Sequence, residues 1–428
     1  MKIAIIGSGI SGLTAAYYLH GQHQVTLYEK NSRIGGHTAT VDVTLNGRDY
    51  AIDTGFIVYN ERTYANFIRL LDELGVATRP TRMGFSVSSR INGLEYSGAG
   101  LDAMFAQRRN LLNPSHWRML RDILRFNREA PQHLAAGIVD ENVTLGDYLS
   151  RYRYSSAFRD HYLVPMGAAI WSAGTDVMME FPMRFFIRFF DNHGLLQVRN
   201  RPQWYVIDGG SRSYIAPLTR GFRQHIVLNS RITAVNRHDS GVRLHHANGT
   251  VEEYDEVVFA CHSDEALALL ADASDAERSV LSAMPYQNND VVLHTDESLL
   301  PALKKTWSSW NYQLNSYRQN MVTLTYNMNI LQGIQAPVTF CVTLNDSRSI
   351  DPGKVLARFN YAHPVFSRES LAAQQRWGEI NGVRHSWFCG AYWRNGFHED
   401  GVVSALQVVN GLKARCGQPG VLVLSNHD

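Results

Sequence analysis

Residues 1–29 constrain this chain more tightly than any other stretch. MKIAIIGSGISGLTAAYYL holds a β-branched run, Ile3 to Ile6, then Gly7, Gly9 and Gly12 spaced as G-x-G-x-x-G, then Leu13, Ala16, Tyr17 and Leu19 at helical spacing. A short apolar run closed by a turn marks a buried parallel strand. The glycines have separate tasks. Gly7 permits the tight turn, Gly9 lets backbone approach a pyrophosphate, and Gly12 brings helix close to strand. The helix N-terminus, with Ile10 and Ser11, then faces phosphate charge. A second strand, Gln24 to Tyr28, ends on Glu29, where a carboxylate accepts hydrogen bonds from a ribose diol. Strand, turn, helix and terminal acid together predict a dinucleotide site. Ile3 to Leu19 is apolar but is not read as a secretory leader, since glycines interrupt it and no small-residue cleavage site follows.

The stretch EKNSRIGGHT follows directly. A plain nicotinamide dinucleotide site needs nothing special after the acid. Here Lys30 and Arg33 supply charge, and Arg33 is within reach of a pyrophosphate. Gly35 and Gly36 let backbone lie against a flat ring system without a Cβ in the way. His37 and Thr38 complete the segment. This arrangement resembles the flavoprotein superfamily of amine oxidases, phytoene desaturases and protoporphyrinogen oxidases, which carry E-x(n)-R-x-G-G after the first βαβ. The resemblance implies FAD, held non-covalently.

Later segments extend the resemblance. Asp53-x-Gly55 and Phe56 in DTGFIVYN match a D-x-G where family backbone meets the flavin. WYVIDGGSRSYIAPL is similar to the element by which family chains re-enter the FAD domain. The resemblance places Ile232 beside the adenine and Ala260 where a returning strand closes over the dinucleotide. SWFCGAYWRNGFHEDGVVSALQVV is similar to the closing family motif, with Gly390 turning the chain and Asp400, Gly401 and Val402 opening a last helix toward the flavin pyrimidine. The family's acidic residue after the strand glycine is replaced by Tyr392. The motif order, with LHTD and SWNY, is most similar to bacterial predicted NAD/FAD-binding flavoproteins that accompany cyclopropane or methyl-branched fatty-acid enzymes.

The expected fold is α/β: a Rossmann-like, glutathione-reductase-type FAD domain with an inserted α+β substrate domain. The FAD domain takes residues 1–60, 203–265 and 380–428. The substrate domain takes 61–202, which is mostly helical, and 266–379, which is mostly strand. A length of 428 residues suits two intertwined domains. The net charge of +2 makes no case for nucleic acid, and four dispersed cysteines suggest neither a disulfide framework nor a metal site. A cytoplasmic location is expected, without a membrane span. The arginine-rich helix opened by Pro114 leaves a peripheral membrane contact open.

The reaction is less defined. Amine oxidases carry a lysine on the strand that starts the substrate sheet. That strand here, YQNNDVVLHTD, has none. The expected reaction is therefore FAD-dependent oxidation or desaturation of an apolar, fatty-acyl or lipid-like substrate. His294 and Tyr392 are tentative catalytic groups, and the electron acceptor is undetermined. The pocket is expected to be deep and apolar, walled by Phe185 to Phe190, Trp307, Trp310 and Tyr312, with Tyr392 or Trp393 near the flavin. Three alternatives stand beside this reading: an amine oxidase, a mutase or isomerase that uses reduced FAD without net redox change, and an FAD-stabilised binding protein.

Overall fold

A computed structural model describes residues 1–425. The last three residues of the expected third FAD segment lie outside the described residues.

Ile3 to Ile6 form the centre of a five-stranded parallel sheet. Its spatial order is Ile226–Val227, Gln24–Tyr28, Lys2–Ile6, Glu256–Phe259, Ser386–Phe388. Ile5 pairs with Leu27 on one side and Val258 on the other, and all three are buried to 2% exposure or less. The sheet thus draws strands from the N-terminal, middle and C-terminal parts of the chain. Such central strands are apolar because both faces are covered. One cover combines helix Ile10–Leu19 with helix His398–Arg415. A Cβ on Gly12 would stand 1.9 Å from the Gly7 carbonyl oxygen, and one on Gly401 would stand 2.7 Å from Ile10 Cγ2, so both glycines permit close packing.

Three antiparallel strands, Ile232–His238, Gly241–His246 and Val251–Tyr254, form a separate meander. Asn46 and Gly47 turn the hairpin Thr40–Leu45 and Arg48–Asp53, both at positive φ (51° and 72°). This is the conformation that an Asn-Gly pair favours.

The second unit is a seven-stranded sheet under a helical layer. Its order is Val355–Pro364, Tyr286–His294, Cys341–Leu344, Leu324–Asn327, Trp310–Leu314, Phe85–Ser89, Glu95–Ser97. All pairings are antiparallel except that of Trp310–Leu314 with Phe85–Ser89. Helix Pro114–Ala135 starts with Asn113 accepting from the Ser115 amide (3.0 Å) and with proline in the first turn, where its missing N–H costs nothing. Helix Met183–Asn192 is strongly amphipathic. Phe186 and Phe190 stack at 4.0 Å in the core of this layer, with Phe126 and Phe158.

Candidate active site

A cavity of about 1560 Å³ runs from the parallel sheet to the space between the helical layer and the seven-stranded sheet. It is larger than a usual small-ligand pocket of roughly 300–1000 Å³, so it has room for a dinucleotide and a second molecule.

Its first part is built by the N-terminal glycine loop. Gly7, Ser8, Gly9, Ile10 and Ser11 line the wall. Gly7 has φ +107°, and a Cβ there would stand 2.7 Å from the Ala260 carbonyl oxygen, so any other residue would be strained. A Cβ on Gly9 would meet no atom within 4 Å. It would enter the cavity, where a pyrophosphate needs to approach. Glu29 is buried yet lines the wall. It accepts from Ser8 Oγ at 2.6 Å and from the Asn31 amide and side chain at 2.9 and 2.7 Å. It therefore braces the glycine loop as well as presenting a carboxylate. Lys30, also on the wall, pairs with Glu265.

The double-glycine segment wraps the same end. Arg33 donates to the carbonyls of Gly36 (2.9 Å) and Thr38 (3.2 Å), holding the loop in shape while lining the cavity. Gly35 and Gly36 have φ +112° and +57°, and a Cβ on Gly36 would lie 3.0 Å from the Gly9 Cα. His37 lines the wall with its Nε2 buried and unpartnered. Burial, then His363, His262, His398 and Arg33, hold its pKa well below the ordinary histidine value. Gly55, Phe56, Ile232, Ala260 and Gly390 also reach the cavity.

Other expected residues do not reach it. Gly12 and Gly35 act in packing and turning, and Thr38 hydrogen-bonds Tyr214 and His398 behind the wall. Asp400 turns back to accept from the Phe397 amide at 2.8 Å, and Gly401 and Val402 pack inside. Burial raises the Asp400 pKa to about 7. The last helix instead meets the cavity through Phe397 and His398. His398 stacks on Phe56 at 3.6 Å, an arrangement without a local sequence signal.

Neither of the two expected catalytic groups, His294 and Tyr392, lines the cavity. His294 is fully buried away from the cavity, bonded to Thr343 Oγ1 at 2.7 Å and to the Asp296 amide at 3.0 Å. It is a structural histidine at a strand end. Tyr392 is buried behind Gly390, edge-on to Tyr286 at 6.2 Å. Among the expected aromatic walls, Phe189 and Trp310 line the cavity. Phe186, Phe190 and Tyr312 are core, Tyr392 and Trp393 lie behind the wall, and Trp307 bonds the Pro301 carbonyl.

The second part of the cavity is walled by Tyr162, Met166, Ile170, Trp171, Phe189 and Trp310. Its polar feature is His363, which was not legible in the sequence. Its Nδ1 lies 3.0 Å from Ser172 Oγ and accepts from Asn289 Nδ2 at 3.2 Å, so the neutral ring carries its hydrogen on Nε2, which is left to donate to a ligand. Ser172 ends helix Val164–Trp171 at φ +53°, an uncommon conformation for a non-glycine residue. Burial lowers the His363 pKa to about 4, so the ring is neutral at pH 7. Arg201 also lines the wall, with Nε donating to the Gln197 carbonyl at 2.8 Å. Its charge partly offsets the effect of burial on the Tyr162 hydroxyl.

The wall contains three carboxylates, Glu29, Asp264 and Glu265, and one lysine, Lys30, all at the dinucleotide end among the described residues. No group of three His, Cys, Asp or Glu side chains among them is placed to hold a metal ion.

Residues 10–327 match the family model for flavin containing amine oxidoreductase. The flavin-containing monoamine oxidase candidate AofH of Mycobacterium tuberculosis is 26% identical over 256 residues, 59% of this chain and 55% of its own length. The chain thus spans about half of that relative. Cyclohexylamine oxidase from Brevibacterium oxydans shares the fold with a TM-score of 0.70 at 16% identity, covering 97% of this chain and 99% of that one. A CLA-producing fatty acid isomerase from P. acnes does so with 0.68 at 17% identity, covering 97% and 98%.

Proposed function

Because the chain belongs to the flavin-containing amine oxidoreductase family, we propose that it is an FAD-dependent oxidoreductase acting on an apolar, fatty-acyl-like substrate. The observation behind the substrate class is the second part of the cavity. Apart from His363, Ser172 and Arg201, the side chains named there are aromatic and aliphatic, and among the described residues it has neither a carboxylate to hold an ammonium nor a lysine. A shared fold does not choose among substrates, since both an amine oxidase and a fatty acid isomerase adopt it.

The residues present fit FAD. The open space at Gly9, the unpartnered His37 Nε2 and the Glu29 carboxylate lie along one wall. Gly7 to Ser11, Glu29, Arg33, Gly36 and Ala260 would hold the dinucleotide. FAD bound there supplies a two-electron acceptor for substrate hydrogen.

The chain's own groups supply the rest. Tyr162, Met166, Ile170, Trp171 and Phe189 bury an acyl chain, each methylene contributing roughly 0.8 kcal/mol. Arg201 takes an acidic head group. His363, neutral and with Nδ1 occupied as an acceptor, offers its Nε2–H as a donor that orients a polar group of the substrate beside the reacting carbon. The aromatic walls exclude water from the reacting carbon.

The test is anaerobic absorbance of the flavin-loaded protein mixed with long-chain fatty acids, a total lipid extract, or polyamines. Bleaching by acids or lipid alone is expected. Bleaching by polyamines alone would overturn the substrate class, and bleaching by none would overturn a net oxidation.

A further inference from the structure

We propose that the face built by residues 101–128 docks on an anionic lipid bilayer. Large apolar side chains cluster there at high exposure: Leu112 at 90%, Leu101 at 79%, Leu124 at 60% and Trp117 at 49%. Single exposed leucines are ordinary on a protein surface, whereas a contiguous group marks an interface. Contacts of Trp117 tie its helix to the segment before it. Trp117 donates from Nε1 to the Leu111 carbonyl at 2.9 Å and packs on Phe105 with ring centroids 5.0 Å apart.

Charge indicates what covers this face. Residues 101–128 contain six arginines and two acids, Asp102 and Asp122. Asp122 is buried and accepts from the Ser155 amide. Asp102 pairs with both Arg108 and Lys305, and Glu129, the residue just after this stretch, pairs with Arg125 and Arg128. Arg118 and Arg121 are exposed and contact no carboxylate among the described residues. Along helix Pro114–Ala135, Trp117, Arg121, Leu124 and Arg128 follow one another at helical spacing on the exposed side. Apolar groups and arginines alternating on one face suit a phosphate-bearing interface, with the apolar groups entering the acyl boundary and the guanidinium groups reaching head groups. No helix among the described residues is long and apolar enough to cross a membrane, so the contact would be peripheral.

The face also adjoins the candidate active site. A pocket of about 330 Å³, lined by Arg109, Leu112, Ser115 and His161, opens in it. Tyr162, the next residue on the same turn, lines the large cavity. The docking proposal does not depend on the substrate reading, because bilayer binding is measured without turnover.

The test sediments the full, flavin-loaded chain with sucrose-loaded vesicles of phosphatidylcholine, with or without phosphatidylglycerol. Binding is expected with phosphatidylglycerol and is expected to weaken with salt. The double variants Leu112→Ser/Trp117→Ser and Arg118→Glu/Arg121→Glu should each lower partitioning about tenfold at unchanged flavin content. Absence of binding at low salt, or equal binding by wild type and both variants, would overturn the proposal. So would light scattering that shows a dimer in wild type and a monomer in Leu112→Ser/Trp117→Ser, since a second copy would then cover the face.

Discussion

The Asp53 carboxylate accepts hydrogen bonds from the backbone amide and the hydroxyl of Ser211, both at 2.9 Å. It also accepts from Thr40 Oγ1 at 2.6 Å and Gln332 Nε2 at 2.9 Å. One fully buried side chain thus joins the D-T-G segment, the G-G-S segment and the end of the short helix Met328–Leu331 that follows the central strand of the seven-stranded sheet. Asp53→Ala leaves several buried donors without an acceptor and should cost about 3 kcal/mol. Asp53→Asn keeps one acceptor and should cost less. Urea denaturation of the apoprotein measures both, and an Asp53→Ala midpoint equal to wild type would refute the joint.

The glycines separate folding from cofactor binding. The Cβ of Gly9→Ala meets no protein atom, so the apoprotein should keep its thermal midpoint and lose FAD. In Gly12→Ala the Cβ would collide with the Gly7 carbonyl, so the fold itself should weaken. Glu29→Ala should lose both the ribose contact and the loop brace, roughly 1–3 kcal/mol of FAD binding. Flavin content and thermal midpoint are read on each variant. Full flavin content in Gly9→Ala would show that the pyrophosphate does not pass there.

The FAD should be releasable. Cys389 is buried, with its thiol pushed up by burial, and the Cys261 thiol, on the cavity wall, is also pushed well up. Neither is a ready thiolate at neutral pH. Acid precipitation should therefore leave the yellow colour in the supernatant. Colour retained in the pellet would demonstrate a covalent bond.

Stability should carry two opposing pH responses. Burial lowers His398 to about 3, and His193 and His363 each to about 4, against an unfolded value of about 6.5. Their contribution is present above 6.5 and is lost as pH falls through the folded values. Asp53 and Asp400 are raised, to about 6 and about 7. Their contribution is present at pH below the ordinary carboxylate value and is lost as pH rises through 6 and 7. In the apoprotein, His398→Gln should flatten the fall of thermal midpoint between neutral pH and pH 4, and Asp400→Asn should steepen it. Parallel curves for wild type and both variants would show that neither group titrates with folding.

Arg201→Ala should raise KM for a long-chain acid about tenfold, the loss of one charge-assisted contact, and leave the KM of its methyl ester unchanged. An equal rise for acid and ester would assign Arg201 to the shape of the cavity wall rather than to a head group.

The sequence by itself determined the superfamily and the α/β fold. The fingerprint from Ile3 to Glu29, the segment from Arg33 to Gly36 and the Asn46-Gly47 hairpin are local, and each specifies its backbone through neighbours a few residues away. Tertiary structure decided which side chains face the cavity. His363, Ser172 and Asn289 come from three separate segments, and they meet only when the strand pairing sets the register of Tyr286–His294 against Val355–Pro364. The pairing of Tyr286–His294 with Cys341–Leu344 turns His294 onto Thr343 and into the core, although in sequence it was the more visible histidine. The same holds for the aromatic residues. Composition counted the phenylalanines of MRFFIRFF, but the orientation of one helix against its neighbours sends Phe186 and Phe190 inward and brings Phe189 to the wall. Backbone geometry depends on neighbours along the chain, whereas the environment of a side chain is set by segments that packing brings together from far apart in sequence.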